Sequence, residues 1–152
     1  EGNLPFHHAC SGYNKKIEII EYLYKLYPES INIPNSEGRC PIHKYLESTP
    51  IDFSSTRLDT IHFLIKHDQG ALSMPTPVGN IPLHIACMHT LTKGLAEAVF
   101  DAYPEGIDAT NSEGQTPLDE SKELLNNFDD PEYEFIEELP GGNGQMKHLA
   151  GL

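Results

Sequence analysis

The chain has 152 residues, the length of one ordinary domain, and its 23 acidic residues against 10 basic ones give a formal net charge of −13. Nucleic acid and anionic membrane surfaces repel such a chain, so we expect no nucleic-acid partner. No apolar run approaches the roughly 18 residues that a membrane span needs, so we expect no direct membrane insertion.

A nine-residue segment near the start of the chain returns further along it. Residues 2–10 read GNLPFHHAC and residues 79–87 read GNIPLHIAC, while residues 38–43 and 114–119 carry shortened versions. The matching prolines stand at positions 5, 41, 82 and 117, at intervals of 36, 41 and 35 residues. A period in this range is typical of stacked supersecondary units. Within each segment, glycine suits a turn with positive φ, and proline suits the first turn of a helix.

These starts, together with apolar residues at helical spacing behind them, predict helices in pairs. In the second pair we expect Leu58, Ile61, Leu64 and Ile65 to face inward. Pro28 should stop the first pair, and the alternation of apolar residues over 29–34 predicts an extended segment there. The predicted helices span residues 4–11 and 16–27, 41–47 and 57–67, 82–89 and 94–103, and finally 117–127.

The chain thus divides into a repeat array over residues 1–128 and a C-terminal segment over residues 129–152, acidic at first and then glycine-rich. The units of the array are residues 1–36, 37–77, 78–112 and 113–128, with a longer loop over 48–55 in the second unit. Residues 129–139 contain six acids and no base, yet also four large apolar side chains. We expect these to pack, either as a cap on the array or on a partner.

Two of the repeated segments carry a known family pattern most clearly. Thr116-Pro117-Leu118 and Pro82-Leu83-His84-Ile85-Ala86 resemble the Thr-Pro-Leu-His-x-Ala signature of the ankyrin repeat, a unit of two helices and a turn. The resemblance covers roughly residues 1–125. It implies an all-α, ankyrin-type helical repeat solenoid of about three repeats plus a C-terminal capping helix and an acidic tail. The chain departs from the signature at Leu4, Cys40 and Ile81 in place of threonine, Tyr45 in place of alanine and Asp119 in place of histidine.

Histidine and cysteine recur in the repeated segments three residues apart, which is one possible spacing for half of a metal site. Repetition of the segment explains the pairs without a metal, and the resemblance implies that the signature histidine bonds to the neighbouring turn. We therefore expect no metal, no cofactor and no enzymatic activity. The three cysteines, Cys10, Cys40 and Cys87, are expected to be buried thiols in a reducing, intracellular compartment.

The resemblance also implies a protein–protein interaction module or scaffold, part of a larger protein or assembly, that binds through a concave face and turn tips. The alternative is a regulatory domain of an enzyme whose catalytic part lies outside this chain, and plain solvent exposure is the alternative for each contact residue. The expected contacts lie beside the turn glycines and on the exposed side of each first helix. Those in the turns are Asn3, Ser36, Glu37, Arg39, Pro77, Val78, Asn80, Ser112, Glu113 and Gln115, and those on the helices are His8, Ser11, Lys44, Glu47, Met88 and His89.

Overall fold

The computed structural model describes residues 2–12, 16–48, 56–89 and 93–120, and all regular secondary structure within these ranges is helical. The α-helices are α1 (Pro5–Ser11), α2 (Ile17–Leu26), α3 (Pro41–Glu47), α4 (Thr56–His67), α5 (Pro82–His89) and α6 (Lys93–Ala102). Short 3-10 helices span Pro28–Ile31, Gly70–Ser73 and Pro104–Asp108. The predicted all-α class is confirmed for these residues.

The repeated proline starts the first helix of each pair, as predicted. Pro5, Pro41 and Pro82 each occupy the first position of a helix, where the missing N–H would have had no partner within the helix. The predicted bounds agree with α1 to α6 to within one residue. Residues 117–120 begin the last predicted helix, whose remainder lies outside the described residues together with the segment 129–139.

The extended segment predicted over residues 29–34 is wrong in its first half, where Pro28–Ile31 forms a 3-10 helix. The backbone N–H of Ser30 donates to the carbonyl of Tyr27 at 3.1 Å, and the Ser30 hydroxyl donates to the same carbonyl at 2.6 Å. Proline fixes φ near the helical value, so it can open a tight helical turn directly after ending the previous helix.

The first helices of successive pairs pack on one another, and so do the second helices. α1 contacts α3 and α3 contacts α5, while α2 contacts α4 and α4 contacts α6. Within each pair the first helix also contacts the second. The Ser48 hydroxyl at the end of α3 donates to the carbonyl of Lys44 in its own helix at 2.5 Å and lies 3.2 Å from the carbonyl of Cys10 in α1.

A continuous apolar core lies between these helices. Ile61, Leu64 and Ile65 of α4 are buried as predicted, whereas Leu58 lies against Gly94 of α6 but remains 37% exposed. Tyr45 is fully buried, so the large residue at the alanine position of the second unit is accommodated in the core. Each fully buried aliphatic side chain contributes about 1.5–3 kcal/mol to the free energy of folding.

The three cysteines are buried thiols, as predicted. Burial raises the pKa of Cys40 to about 11 and that of Cys87 to about 12, because the apolar surroundings penalise the thiolate. Both groups therefore remain protonated and weakly reactive at neutral pH. Within the described ranges, no helix combines the length and the apolar character needed to cross a membrane.

Candidate interaction surface

Turns with the same backbone hydrogen bonds precede α3, α5 and the helix that begins at residue 117. In the first, the N–H of Asn35 donates to the carbonyl of Arg39 at 2.9 Å and the N–H of Gly38 donates to the carbonyl of Asn35 at 2.9 Å. The same two bonds form in the turn that starts at Thr76 and in the turn that starts at Asn111. The glycine of each turn has a φ of 70°, 85° or 78°, a range in which other residues are strained.

The first side chain of each turn holds its tip in place. The Asn35 Oδ1 accepts from the backbone N–H groups of Glu37 and Arg39 at 3.0 and 2.9 Å. Asn111 does the same for Glu113 and Gln115, both at 3.0 Å. The sequence analysis did not identify asparagine as the residue that stabilises the turn. The repeated Asn-Ser-Glu-Gly at 35–38 and 111–114 could have indicated it, because asparagine side chains often bond to the backbone of a turn.

Consecutive turns pack directly on one another. A Cβ atom on Gly2 would lie 2.9 Å from the backbone nitrogen of Ser36, and one on Gly38 would lie 3.1 Å from the Pro77 ring. The N–H of Ser112 donates to the carbonyl of Val78 at 3.0 Å. We call these residues, 2–3, 36–38, 77–79 and 112–114, the turn row, because they form one continuous line of loop tips.

The signature histidines connect each first helix to the segment that leads into the next unit. The Nδ1 of His7 accepts from the N–H of Leu4 at 3.1 Å, and its Nε2 lies 3.1 Å from the carbonyl of Arg39. The Nδ1 of His43 accepts from the N–H of Cys40, and its Nε2 lies 2.9 Å from the carbonyl of Met74. Each Nδ1 accepts, so each Nε2 carries the proton and donates.

His84 is the third signature histidine, and Asp119 replaces histidine in the fourth segment. Comparing them shows which hydrogen bond only the imidazole ring makes. His84 accepts from the N–H of Ile81 at 3.3 Å and donates through Nε2 to the carbonyl of Gln115 at 3.1 Å. Asp119 keeps the first role, because its Oδ2 accepts from the N–H and the hydroxyl of Thr116 at 3.1 and 2.7 Å. A carboxylate has no proton to donate to a following turn.

All three histidines are fully buried. Burial lowers the pKa of His7, His43 and His84, because the imidazolium loses its hydration, and this effect outweighs the opposing effect of the backbone carbonyls. The rings are therefore neutral at pH 7. This charge state agrees with the hydrogen bonds, since an imidazolium could not accept from a backbone N–H.

The structure places most of the expected contact residues at the surface. Asn80 does not lie there: its side chain is buried and its Oδ1 has no hydrogen-bond partner in the described structure. His89 ends α5, and its side chain lies outside the described residues. The exposed members are His8, Ser36, Glu37, Pro77, Val78, Ser112 and Glu113, and the half-buried ones are Asn3, Ser11, Arg39, Lys44, Glu47, Gln115 and Met88.

Four of the expected residues meet in one cluster beside the turn row. The Arg39 guanidinium donates from Nε to Glu47 at 2.6 Å and from Nη1 to Glu37 at 2.8 Å. Lys44 lies 3.5 Å from the second oxygen of Glu47. The bond to Glu47 is the largest of the effects that raise the pKa of Arg39. The cluster thus joins a turn to the first helix of its unit and balances two positive charges against two negative ones.

The cluster adds little to the stability of the fold. Ion pairs between partly exposed side chains contribute only about 0–1 kcal/mol each, because water screens them and ordering the long side chains costs entropy. Fixed charges at a surface do, however, lower the entropic cost of binding a partner. Asn3 extends the ordered surface, since its Oδ1 accepts from Asn35 Nδ2 at 2.7 Å.

Within the described ranges, no group of three or more His, Cys, Asp or Glu side chains lies close enough together to hold a metal ion. The two nitrogens of each signature histidine already take part in hydrogen bonds, so neither has a lone pair left for a metal ion.

None of the protein-family models matches this chain. A search of curated proteins likewise finds no significant match.

Proposed function

We propose that this chain is an ankyrin-type repeat array that acts as a protein-interaction module, with the turn row and the neighbouring Arg39 cluster as its binding face. The observation that carries the proposal is the repetition of one turn geometry in three places, each packed on the next. Repeated, mutually packed turns form a rigid support, and rigid supports with exposed tips are suited to holding a partner.

The exposed tips have a pattern of their own. Pro77 and Val78 form an apolar tip in the middle of the row, and Val78 is 58% exposed. The tips on either side each carry an exposed acid, Glu37 and Glu113. Because Glu37 is already paired with Arg39 at 2.8 Å, a complementary partner surface is apolar at its centre and basic opposite Glu113, since interfaces combine a desolvated apolar centre with a polar rim of opposite charge.

The overall charge supports the same class of partner. A chain of net charge −13 attracts a basic protein surface over long distances and repels nucleic acid. The buried thiols support a reducing compartment inside the cell as the place of binding. The proposal assigns no catalytic role to this chain.

The test is a comparison of affinity captures from the cells that make the protein. The tagged chain is compared with Val78→Asp, which places a charge on the apolar tip, and with Glu113→Lys, which reverses the charge of an exposed acid on a flanking tip. Quantitative mass spectrometry should show one protein enriched by the original chain and reduced at least tenfold with either variant.

The matched control is Lys66→Glu, an exposed charge reversal on α4, outside the turn row. It should capture the same protein at the original level. Circular dichroism and a melting curve establish that all variants are folded. A captured protein whose amount is unchanged by both surface variants would show that binding takes place elsewhere on the chain.

A further inference from the structure

The outer face of α2 is unusually apolar for a helix surface exposed to water. Ile19, Tyr22 and Leu26 lie three and four residues apart, on one side of the helix, and are 49%, 60% and 64% exposed. Together with Tyr27, which is also exposed, they form a group that we call the α2 face. Large apolar side chains exposed as a group mark interaction sites more often than single ones do.

The three second helices can be compared residue by residue, because they end in the same way. The backbone N–H groups of Tyr27, Asp68 and Tyr103 donate to the carbonyls of Leu23, Leu64 and Val99 at 3.0, 2.9 and 3.1 Å. Counted back from these ends, the place of Ile19 in α2 is that of Thr60 in α4 and of Leu95 in α6.

Burial at this place differs between the units. Ile19 is 49% exposed, whereas Thr60 is 0% and Leu95 1% exposed. Leu23 shows the same trend, because it is only partly buried while Leu64 and Val99 are fully buried. The difference follows from the packing, since α4 has α2 against it and α6 has α4 against it.

The contact between α2 and α4 shows what such a face receives. Tyr24 of α2 packs on Phe63 edge-to-face, with ring centroids 5.5 Å apart, and on His67 at 4.4 Å. Phe63 and His67 occupy the places in α4 that Tyr22 and Leu26 occupy in α2. Tyr22 and Leu26 can therefore contact a large side chain from a preceding helix, as Phe63 and His67 contact Tyr24.

We propose that the α2 face is a stacking interface for a further helix pair of the type found in this chain, whose second helix lies along α2 as α2 lies along α4. A side chain at the place of Tyr24 in that pair packs between Tyr22 and Leu26, and Ile19 becomes as buried as Thr60. The proposal depends on the packing of the second helices and not on the turn row, so it stands or falls separately from the proposed binding function.

The experiment adds such a pair to the full chain. A copy of residues 1–36 placed directly before Glu1 creates the sequence Asn-Ser-Glu-Gly at the junction, as in the turns at 35–38 and 111–114. The melting temperature of this fused chain is compared with that of the 152-residue chain, each with and without Tyr22→Lys in the original copy. Lys25→Ala, at an exposed position of the same helix, is the matched control.

The added pair should raise the melting temperature by about 3–8 °C, because each interface between neighbouring units adds to stability. Tyr22→Lys should have little effect on the 152-residue chain, where the side chain is exposed, but should remove most of the gain in the fused chain. Lys25→Ala should change the melting temperatures of the fused chain and of the 152-residue chain by the same amount.

Two results would overturn the proposal. One is a fused chain whose melting temperature is not raised, or is raised equally with Tyr22→Lys. The other is a dimer of the 152-residue chain in sedimentation velocity that Tyr22→Lys dissociates, since the face would then be occupied by a second copy of this chain.

Discussion

The Nε2–H of His84 donates to the backbone carbonyl of Gln115, 3.1 Å away and 31 residues further along the chain. The same ring accepts from the N–H of Ile81 at the start of its own helix. One neutral side chain thus satisfies a helix end and joins two units. His7 repeats both bonds with its equivalents, and His43 repeats them with a different carbonyl.

Replacement of this ring should therefore destabilise more than one unit. His84→Ala leaves the buried N–H of Ile81 without its partner, removes one of the hydrogen bonds to the carbonyl of Gln115, which still accepts from the N–H of Asn111, and opens a cavity. We expect the free energy of unfolding to fall by about 2–4 kcal/mol in a urea titration. His62→Ala removes an exposed imidazole from α4 and serves as the control, with an expected change below about 0.5 kcal/mol. Equal effects of the two substitutions would show that the bridge is not formed.

The neutral rings also determine how stability depends on pH. Burial lowers the pKa of His7, His43 and His84 in the folded chain, whereas in the unfolded chain each titrates near 6.5. The unfolded chain therefore binds more protons as the pH falls through 6.5. Stability from these groups is fully present above that value and is lost below it.

Urea midpoints at pH 7.5, 6.5 and 5.5 should consequently decrease in that order. His84→Gln lowers the midpoint at pH 7.5 but removes one of the titrating groups, so its decrease from pH 7.5 to 5.5 should be smaller than that of the original chain. Other groups also titrate in this acidic chain, so the comparison between the two chains decides: a decrease from pH 7.5 to 5.5 that is as large in His84→Gln as in the original chain would contradict the buried neutral state of His84.

Two turn glycines have nearly the same backbone conformation but different surroundings. Alanine at each position therefore distinguishes the free-energy cost of the left-handed conformation from the cost of a steric clash. Gly79 and Gly114 have φ values of 85° and 78°, but a Cβ on Gly79 would lie 2.6 Å from the nitrogen of Ser112, whereas a Cβ on Gly114 meets no described atom within 4 Å. Gly114→Ala should cost about 1–2 kcal/mol for the left-handed conformation. Gly79→Ala should cost about 1–3 kcal/mol more, because two turns must move apart.

Chemical denaturation of the two variants measures this difference directly. Equal losses of stability would mean that the turns at 76–79 and 111–114 are not packed on one another in solution. The turn row would then lack the rigid support on which the proposed binding face depends.

The His-x-x-Cys pairs should not bind zinc. The two nitrogens of His84 are used in hydrogen bonds, and burial raises the pKa of Cys87 to about 12, so neither offers the lone pair or thiolate that zinc requires. Elemental analysis after incubation with zinc and desalting should find far less than one ion per chain. One ion per chain, lost on Cys87→Ser, would reverse this conclusion.

Much of the helical framework could be predicted, because its determinants are local. The repeated proline set the start of α1, α3 and α5, and the glycines that precede it all adopt positive φ. The 3-10 helix at Pro28–Ile31 was missed, because Pro28 is both a helix stop and a suitable first residue of the next turn, and the bond from the Ser30 hydroxyl that favours the turn depends on three-dimensional geometry.

The candidate surface was harder to predict, because its parts are distant in sequence. The resemblance placed Arg39, Lys44 and Glu47 among the contacts, but their union in one cluster depends on how a turn folds back on the helix that follows it. Asn80 holds the same place in its turn as Arg39, yet it is buried, and the neighbouring Gly79 closely approaches the turn at 111–114. Tertiary packing of this kind leaves no local pattern.

The most direct test of the proposed binding face is site-specific photo-crosslinking in cells. A photoreactive amino acid is placed at Val78 or Ser112 in the turn row, or at His62 or Lys66 on the exposed surface of α4. The proposal predicts adducts with one and the same protein from both turn positions and none from the α4 positions. Adducts from α4 alone, or the absence of adducts from the turn positions, would contradict it.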